Sequence, residues 1–279
     1  MRLLLLFTCC FLINNTKAQT DSLSSKFPVD SGYCSSFDGT KIYYEVCGKG
    51  IPVLLVHGFM GNSSGWKRGA LYTDLLNVGY KVIILDMRGN GKSGKPHDTA
   101  AYENDAEAKD IMQLISLLKI KQYSAVGYSR GSIITARLLV LDKRVQNAVL
   151  GGMGTGFTNP EWPRRKMFYR AMMGDSIPEL KGAVDYVKQQ GLDQLALAYL
   201  QKAQPSTSKE ALSKVKQPVL VICGDKDSDN GSAAELAKLL PNSSLATVPG
   251  DHNHASATPE FSKDIINFLR TKNQGPTNQ

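Results

Sequence analysis

Short apolar runs recur along the chain, with polar or amphipathic stretches between them. Ile51 to Val56 reads Ile-Pro-Val-Leu-Leu-Val. Lys81 to Leu85, Tyr123 to Val126, Val145 to Leu150, Pro218 to Ile222 and Ser244 to Val248 follow in the same style. Continuous apolar runs of this length mark strands buried on both faces of a parallel sheet. Between them the spacing turns helical over Gly69 to Val78, Ala101 to Leu118, Ser132 to Leu141, Ala233 to Leu240 and Pro259 to Leu269. A hairpin comes first: Tyr33 to Phe37, an Asp38-Gly39 turn, then Lys41 to Val46. Strand alternating with helix predicts an α/β fold, a mostly parallel central sheet with helices on both faces.

One stretch breaks the alternation. From Phe157 to Pro205 no strand-like run appears, and short helical segments are punctuated by Pro160, Pro163, Gly174, Pro178, Gly191 and Pro205. That is too long for an ordinary connection between strands. It predicts a small helical cap over 157–205, inserted between core segments 19–156 and 206–271, with a polar tail over 272–279. The first residues follow a different pattern. Arg2 precedes an apolar run from Leu3 to Ile13, and Asn14 to Gln19 is polar. The run is too short to span a bilayer, and the order basic, apolar, small-polar predicts a secretory signal peptide over 1–18. Cleavage after Ala18 is expected to leave a secreted or periplasmic protein without a stable membrane anchor.

Composition narrows the class. The 279 residues are 42% apolar and 21% charged, which excludes global disorder and a polytopic membrane protein. The net charge of +8 is spread thinly, with Arg164-Arg165-Lys166 the longest basic run. Spread charge predicts a solvated surface and no nucleic-acid partner. Beyond the predicted signal lie Cys34, Cys47 and Cys223, an odd number that cannot form a disulfide framework. A two-residue turn at Asp38-Gly39 sets Cys34 opposite Tyr43, leaving Cys47 about 13 Å further along the strand, too far to bridge. Free buried thiols are expected.

Several motifs compete. Gly89-Asn90-Gly91-Lys92-Ser93-Gly94 spells a dinucleotide fingerprint, but Lys95-Pro96 follows instead of a helix, so no helix N-terminus is there to hold a pyrophosphate. The pattern G-x-S-x-G occurs twice, around Ser63 and around Ser129. A nucleophile elbow needs a buried strand running straight into a tight turn and then a helix. Tyr123 to Val126 runs into Gly127, and Ser132 to Leu141 continues as a helix, so Ser129 has that context. Ser63 is set apart from its strand by His57 to Asn62 and reads as a helix-capping serine.

Serine attacks a carbonyl only when a base takes its proton and a third group orients that base. In elbow folds the chain order is serine, acid, histidine. The strand Pro218 to Ile222 leads to Asp225, Asp227 and Asp229. The strand Ser244 to Val248 leads to Asp251-His252-Asn253-His254. Two of the four histidines of the chain therefore fall in the loop where a base is required.

With these pieces in order, the chain resembles the α/β-hydrolase superfamily, in its small, capped, serine-dependent branch. The resemblance spans about Ser31 to Leu269. It rests on His57-Gly58-Phe59, Asp86 to Ser93, the Ser129 elbow, Gly224-Asp225-Lys226-Asp227 and Pro249-Gly250-Asp251-His252. The family pattern implies Ser129 as nucleophile, Asp227 as acid and His252 as base, the last chosen over His254 by its spacing to Pro259-Glu260. It implies an oxyanion hole from the backbone N–H groups of Phe59 and Arg130, with His57, Asp86 and Arg88 structural. Met167, Phe168 and Met172, at helical spacing in the cap, are expected to line an apolar pocket roof or to pack inward. No His/Cys cluster has metal-ligand spacing, so neither a metal nor an organic cofactor is expected. The expected substrate is a small acyl compound, a carboxylic ester first. Carbon–carbon, thioester, lactone and peptide cleavage, and a non-catalytic ligand-binding role, remain alternatives.

Overall fold

The computed structural model describes residues 26–273. The predicted signal peptide, its cleavage site and most of the polar tail lie outside the described residues. Eight strands form one sheet: β1 Val29–Ser35, β2 Lys41–Cys47, β3 Pro52–Val56, β4 Lys81–Leu85, β5 Tyr123–Tyr128, β6 Val145–Gly151, β7 Val219–Gly224 and β8 Ser243–Val248. Their order is β1-β2-β4-β3-β5-β6-β7-β8. The β1–β2 and β2–β4 pairs are antiparallel and the rest are parallel. The central strands are buried on both faces, as their unbroken apolar runs require.

Helices cover both faces. On one side α1 (Ala70–Asn77) and α9 (Pro259–Asn273) pack Leu71, Leu75, Phe261 and Ile265 against Val53, Leu55 and Val126. On the other side α2 (Ala106–Leu117), α3 (Arg130–Leu141), α7 (Lys209–Ser213) and α8 (Ala233–Leu239) pack Ile111, Ile134, Leu212 and Leu236 against Leu54, Ala125 and Val221. The helix predicted from Ala101 begins only at Ala106. Asn104 and Asp105 adopt φ of 55° and 61°, left-handed values that break the helix and that these two residue types tolerate. The last helix runs on to Asn273, so the polar tail starts later than its composition predicts.

The hairpin register differs from expectation by one residue. Cys34 lies opposite Ile42, not Tyr43, because the loop is Phe37-Asp38-Gly39, closed by Ser36 N–H to the Thr40 carbonyl at 2.9 Å. Gly39 has φ of +83°, the conformation a three-residue hairpin loop needs at its end. Cys34 packs on one face of the sheet and Cys47 on the other, and both thiols are free and buried.

No strand lies between Gly151 and Val219 among the described residues. Of the four α-helices in that span, α7 belongs to the core face and three form a separate layer: α4 Pro163–Met172, α5 Lys181–Gln189 and α6 Gln194–Lys202. They bury a cluster of their own, with Met172, Val187, Leu197 and Leu200 closing over Tyr102. This layer stands over the carboxyl edge of the parallel strands, where α/β sheets bind ligands.

Candidate active site

Ser129 follows β5 directly and has φ of 54° and ψ of −123°, a conformation disfavoured for any residue with a Cβ. Its neighbours enforce it. The Ser129 N–H donates to the Gly151 carbonyl at 2.8 Å, and the Ser132 hydroxyl donates to the same oxygen at 2.7 Å. A Cβ at Gly127 would overlap the Gly131 carbonyl, and one at Gly131 would overlap the Val56 carbonyl. Both glycines let α3 press against β5 and β3, which lifts the serine out of the sheet edge. At Gly65 of the other G-x-S-x-G match the nearest atom would be Arg68 Nη2 at 3.6 Å, so nothing there requires glycine.

The loops after β7 and β8 bring an acid and a histidine to this serine. His252 Nε2 lies 2.8 Å from Ser129 Oγ, and His252 Nδ1 lies 2.8 Å from Asp227 Oδ2. The Asp227 side chain is only 2% exposed, so little water screens the pair. Asp225 serves elsewhere, accepting the Gly250 N–H at 2.8 Å, and Asp229 meets Arg164 at 3.0 Å on the surface. His254 is exposed and paired with Asp251 at 2.6 Å. Two residues not singled out in the sequence hold the histidine. The Tyr128 hydroxyl donates to the His252 carbonyl at 2.7 Å, with the rings 5.5 Å apart. Asn230 donates to the Gly152 carbonyl at 3.1 Å and sets its amide 3.4 Å from His252 Nδ1. Tyr128 had a signal, as the variable residue of the elbow motif; Asn230 had none.

The loop after β3 forms the facing wall. A Cβ at Gly58 would press on Ser129 Cβ at 3.2 Å, so the backbone passes close to the hydroxyl. Among the described residues no hydrogen bond from the Phe59 N–H is present, and the Arg130 N–H opens α3, where no intrahelical acceptor exists. His57 is buried, which pushes its pKa down and keeps it neutral. It accepts the Met87 N–H at Nε2 (3.0 Å), so its Nδ1 proton faces the Gly58 carbonyl at 2.8 Å. Asp86 takes the Ser63 and Lys92 N–H groups, each at 2.7 Å. Ser63 is thus the first residue of a short helical turn held by its backbone, and the cap position belongs to Asn62. Gly91 is required because a side chain there would collide with the Asp86 carboxylate. The dinucleotide-like glycines therefore serve a brace. Arg88, fully buried, extends it by donating to Asp110 at 2.6 Å and to Asp38 at 2.8 Å.

An open cleft of about 870 Å³ leads from Ser129 and His252 up between the core and the helical layer. Phe168 lines it and meets Phe59 edge-on, with ring centroids 5.6 Å apart. Met167 is half-buried and does not line the cleft. Met172 is 2% exposed and packs inside the helical layer. Helical spacing put these residues near one another but did not fix which way α4 is turned. Arg164 and Arg165 take lining positions instead. The basic run is largely spent on neighbours: Arg164 on Asp229, Arg165 on the Lys202 and Pro160 carbonyls, and Lys166 on Glu161. Among the described residues no group of three His, Cys, Asp or Glu side chains has the arrangement of a metal site. Cys223, behind the acid loop, is buried, which raises its thiol pKa to about 11.

Residues 51–179 match the family model described as alpha/beta hydrolase fold. A non-heme chloroperoxidase of Streptomyces lividans is 26% identical over 279 residues, covering 86% of this chain and 100% of that protein. A bifunctional esterase/perhydrolase of Acinetobacter calcoaceticus is 25% identical over 280 residues, covering 86% and 100%. Among solved structures, an esterase from Exiguobacterium antarcticum superposes with a TM-score of 0.73 at 22% identity, over 86% of this chain and 100% of that one. That last likeness is one of fold, and the sheet order above is the fold in question. Sheet order, matched segment and relatives agree that this chain has the α/β-hydrolase fold and is similar over 86% of its length to enzymes of the kinds named.

Proposed function

We propose that the protein is a serine hydrolase cleaving a small carboxylic ester. The observation that carries the reading is the unbroken relay from Ser129 Oγ through the His252 ring to Asp227, at 2.8 Å in both steps. With the proton on Nδ1 facing Asp227, Nε2 presents a lone pair to the serine hydroxyl. Ser129 Oγ attacks the acyl carbonyl while Nε2 takes its proton, and Asp227 stabilises the cation that forms. The carbonyl oxygen becomes an oxyanion, held by the Phe59 and Arg130 N–H groups at roughly 3 kcal/mol each. Collapse expels the alcohol, which leaves with the proton from Nε2. Water, deprotonated by the same nitrogen, then splits the acyl-enzyme to acid and free serine. The helical layer acts as a cap that shapes the substrate pocket.

The relatives' names favour a second reading of the same acyl-enzyme. Hydrogen peroxide in place of water would release a peracid, and a peracid oxidises halide. A fluorophosphonate probe tests the shared core: labelling should fall on Ser129, vanish in Ser129→Ala and persist in Ser63→Ala. Label on Ser63 would defeat both readings. Peroxide-dependent bromination in the presence of an ester separates the two. We also read residues 1–18 as an export signal, testable by an exported chain beginning at Gln19.

A further inference from the structure

The inner wall of the cleft carries polar side chains that the proposed chemistry does not use. Arg130, Gln201 and Gln204 line the cleft and are 3%, 5% and 8% exposed, so all three are more than nine-tenths buried. Gln204 accepts from Arg130 Nη1 at 3.0 Å, and Arg130 Nη2 pairs with the buried Glu107. Much capacity is left over. Among the described residues, no hydrogen bond from Gln204 Nε2 or involving the Gln201 side-chain amide is present. Arg130 Nε has no hydrogen-bond partner either, but it is shut off from solvent and from the cleft. Buried polar groups in folded proteins are almost always paired, so the unspent amides of Gln201 and Gln204, on residues that line the cleft, call for a ligand atom.

Resting on the hydrolase reading above, we propose that Arg130, Gln201 and Gln204 form a subsite for a neutral oxygen acceptor, so that the substrate is an ester carrying a hydroxyl or carbonyl group beside the reacting carbonyl. Three features set that class. The free groups are mainly donors, which suit an oxygen acceptor. The guanidinium charge is already answered by Glu107, so a second carboxylate would meet repulsion there. Arg130, Gln201 and Gln204 line the same cleft as Ser129, so the accepting oxygen belongs to the ester held there. The subsite also joins the two layers: Arg130 opens α3 in the core, whereas Gln201 and Gln204 belong to the end of α6 and the strand of chain leaving the cap.

Matched ester pairs test this, with a hydroxyl replaced by a methyl group. Ethyl 3-hydroxybutyrate is compared with ethyl 3-methylbutyrate, and 2-hydroxypropyl acetate with 2-methylpropyl acetate. The pairs report the acyl and alcohol sides, and members of a pair have similar intrinsic reactivity. In the wild type, kcat/KM should favour the hydroxylated member of at least one pair by about tenfold to a hundredfold. In Gln201→Leu and Gln204→Leu that ratio should fall toward one, whatever happens to the absolute rates. A wild-type ratio near one for both pairs, or a ratio unchanged in both variants, overturns the subsite. A preference for monoethyl succinate over ethyl 3-hydroxybutyrate makes the site anionic and overturns the neutral acceptor. If no ester is turned over and Ser129 is never labelled, the hydrolase reading fails by itself. The subsite is then decided by titrating Ser129→Ala with 3-hydroxybutanamide and 3-methylbutanamide, where equal affinity overturns it.

Discussion

Replacing Asp227 by asparagine changes one oxygen to an amide nitrogen at the far end of the relay. The carboxylate now sits 2.8 Å from His252 Nδ1 and can only accept, so the ring carries its proton on Nδ1. An amide nitrogen in that place donates instead, and the proton moves to Nε2. Nε2–H then faces Ser129 Oγ across the 2.8 Å contact and cannot take its proton. Asn230, whose amide nitrogen is 3.4 Å from Nδ1, adds a second donor on the same side and reinforces the wrong tautomer. Loss of the correct tautomer in such a triad costs about 10⁴ in turnover, or about 5.4 kcal/mol at 1.36 kcal/mol per decade. Turning the amide to present its oxygen would restore the tautomer but not the charge, and a charged acceptor exceeds a neutral one by about 1–2 kcal/mol, roughly fivefold to thirtyfold. The expected loss in kcat for a p-nitrophenyl ester therefore lies between roughly fivefold and 10⁴-fold, with an unchanged thermal midpoint. Asp225→Asn and Asp229→Asn should lose less, since their carboxylates meet Gly250 N–H and Arg164. A loss under about fivefold at Asp227, or a larger one at Asp225, would refute the relay.

Three further outcomes rest on the same packing and contacts. His252→Gln should abolish ester turnover while His254→Gln leaves it largely intact, because His254 points to Asp251 on the surface; the reverse pattern in a steady-state assay would move the base. Gly131→Ala should destabilise the fold or reduce soluble yield, since its Cβ would overlap the Val56 carbonyl oxygen; an unchanged melting curve would mean that β3 and α3 separate more easily than their packing implies. Burial alone would raise the Asp142 pKa, but Arg144 at 2.8 Å on both carboxylate oxygens and the Tyr123 hydroxyl at 3.0 Å outweigh it and hold it below the usual range. A carboxylate depressed in the folded state contributes stability above its unfolded pKa and loses it as pH falls through the folded value. Denaturant melts of Asp142→Asn should thus show a shallower decline below about pH 4 than the wild type, and parallel declines would remove Asp142 from the acid response.

The alternation of apolar runs with helical spacing identified the strands and their mostly parallel class, because burial on both faces leaves its mark on each strand separately. It placed Ser129, the aspartates around Asp227 and the two histidines on loops after strands, because a tight turn beside a buried run is written in consecutive residues. What it could not supply was any relation between distant segments. The family resemblance picked Asp227 and His252 from three aspartates and two histidines, but their meeting with Ser129 depends on the order β5-β6-β7-β8, which brings the loops after β7 and β8 to the end of β5. Asn230 at the histidine, Gln201 and Gln204 in the cleft wall, and Glu107 beneath Arg130 come from three separate segments and share no local pattern. The hairpin register and the facing of Met172 turned on the packing of neighbours, not on composition. Periodicity records which side of an element avoids water; only tertiary packing decides which element stands on that side.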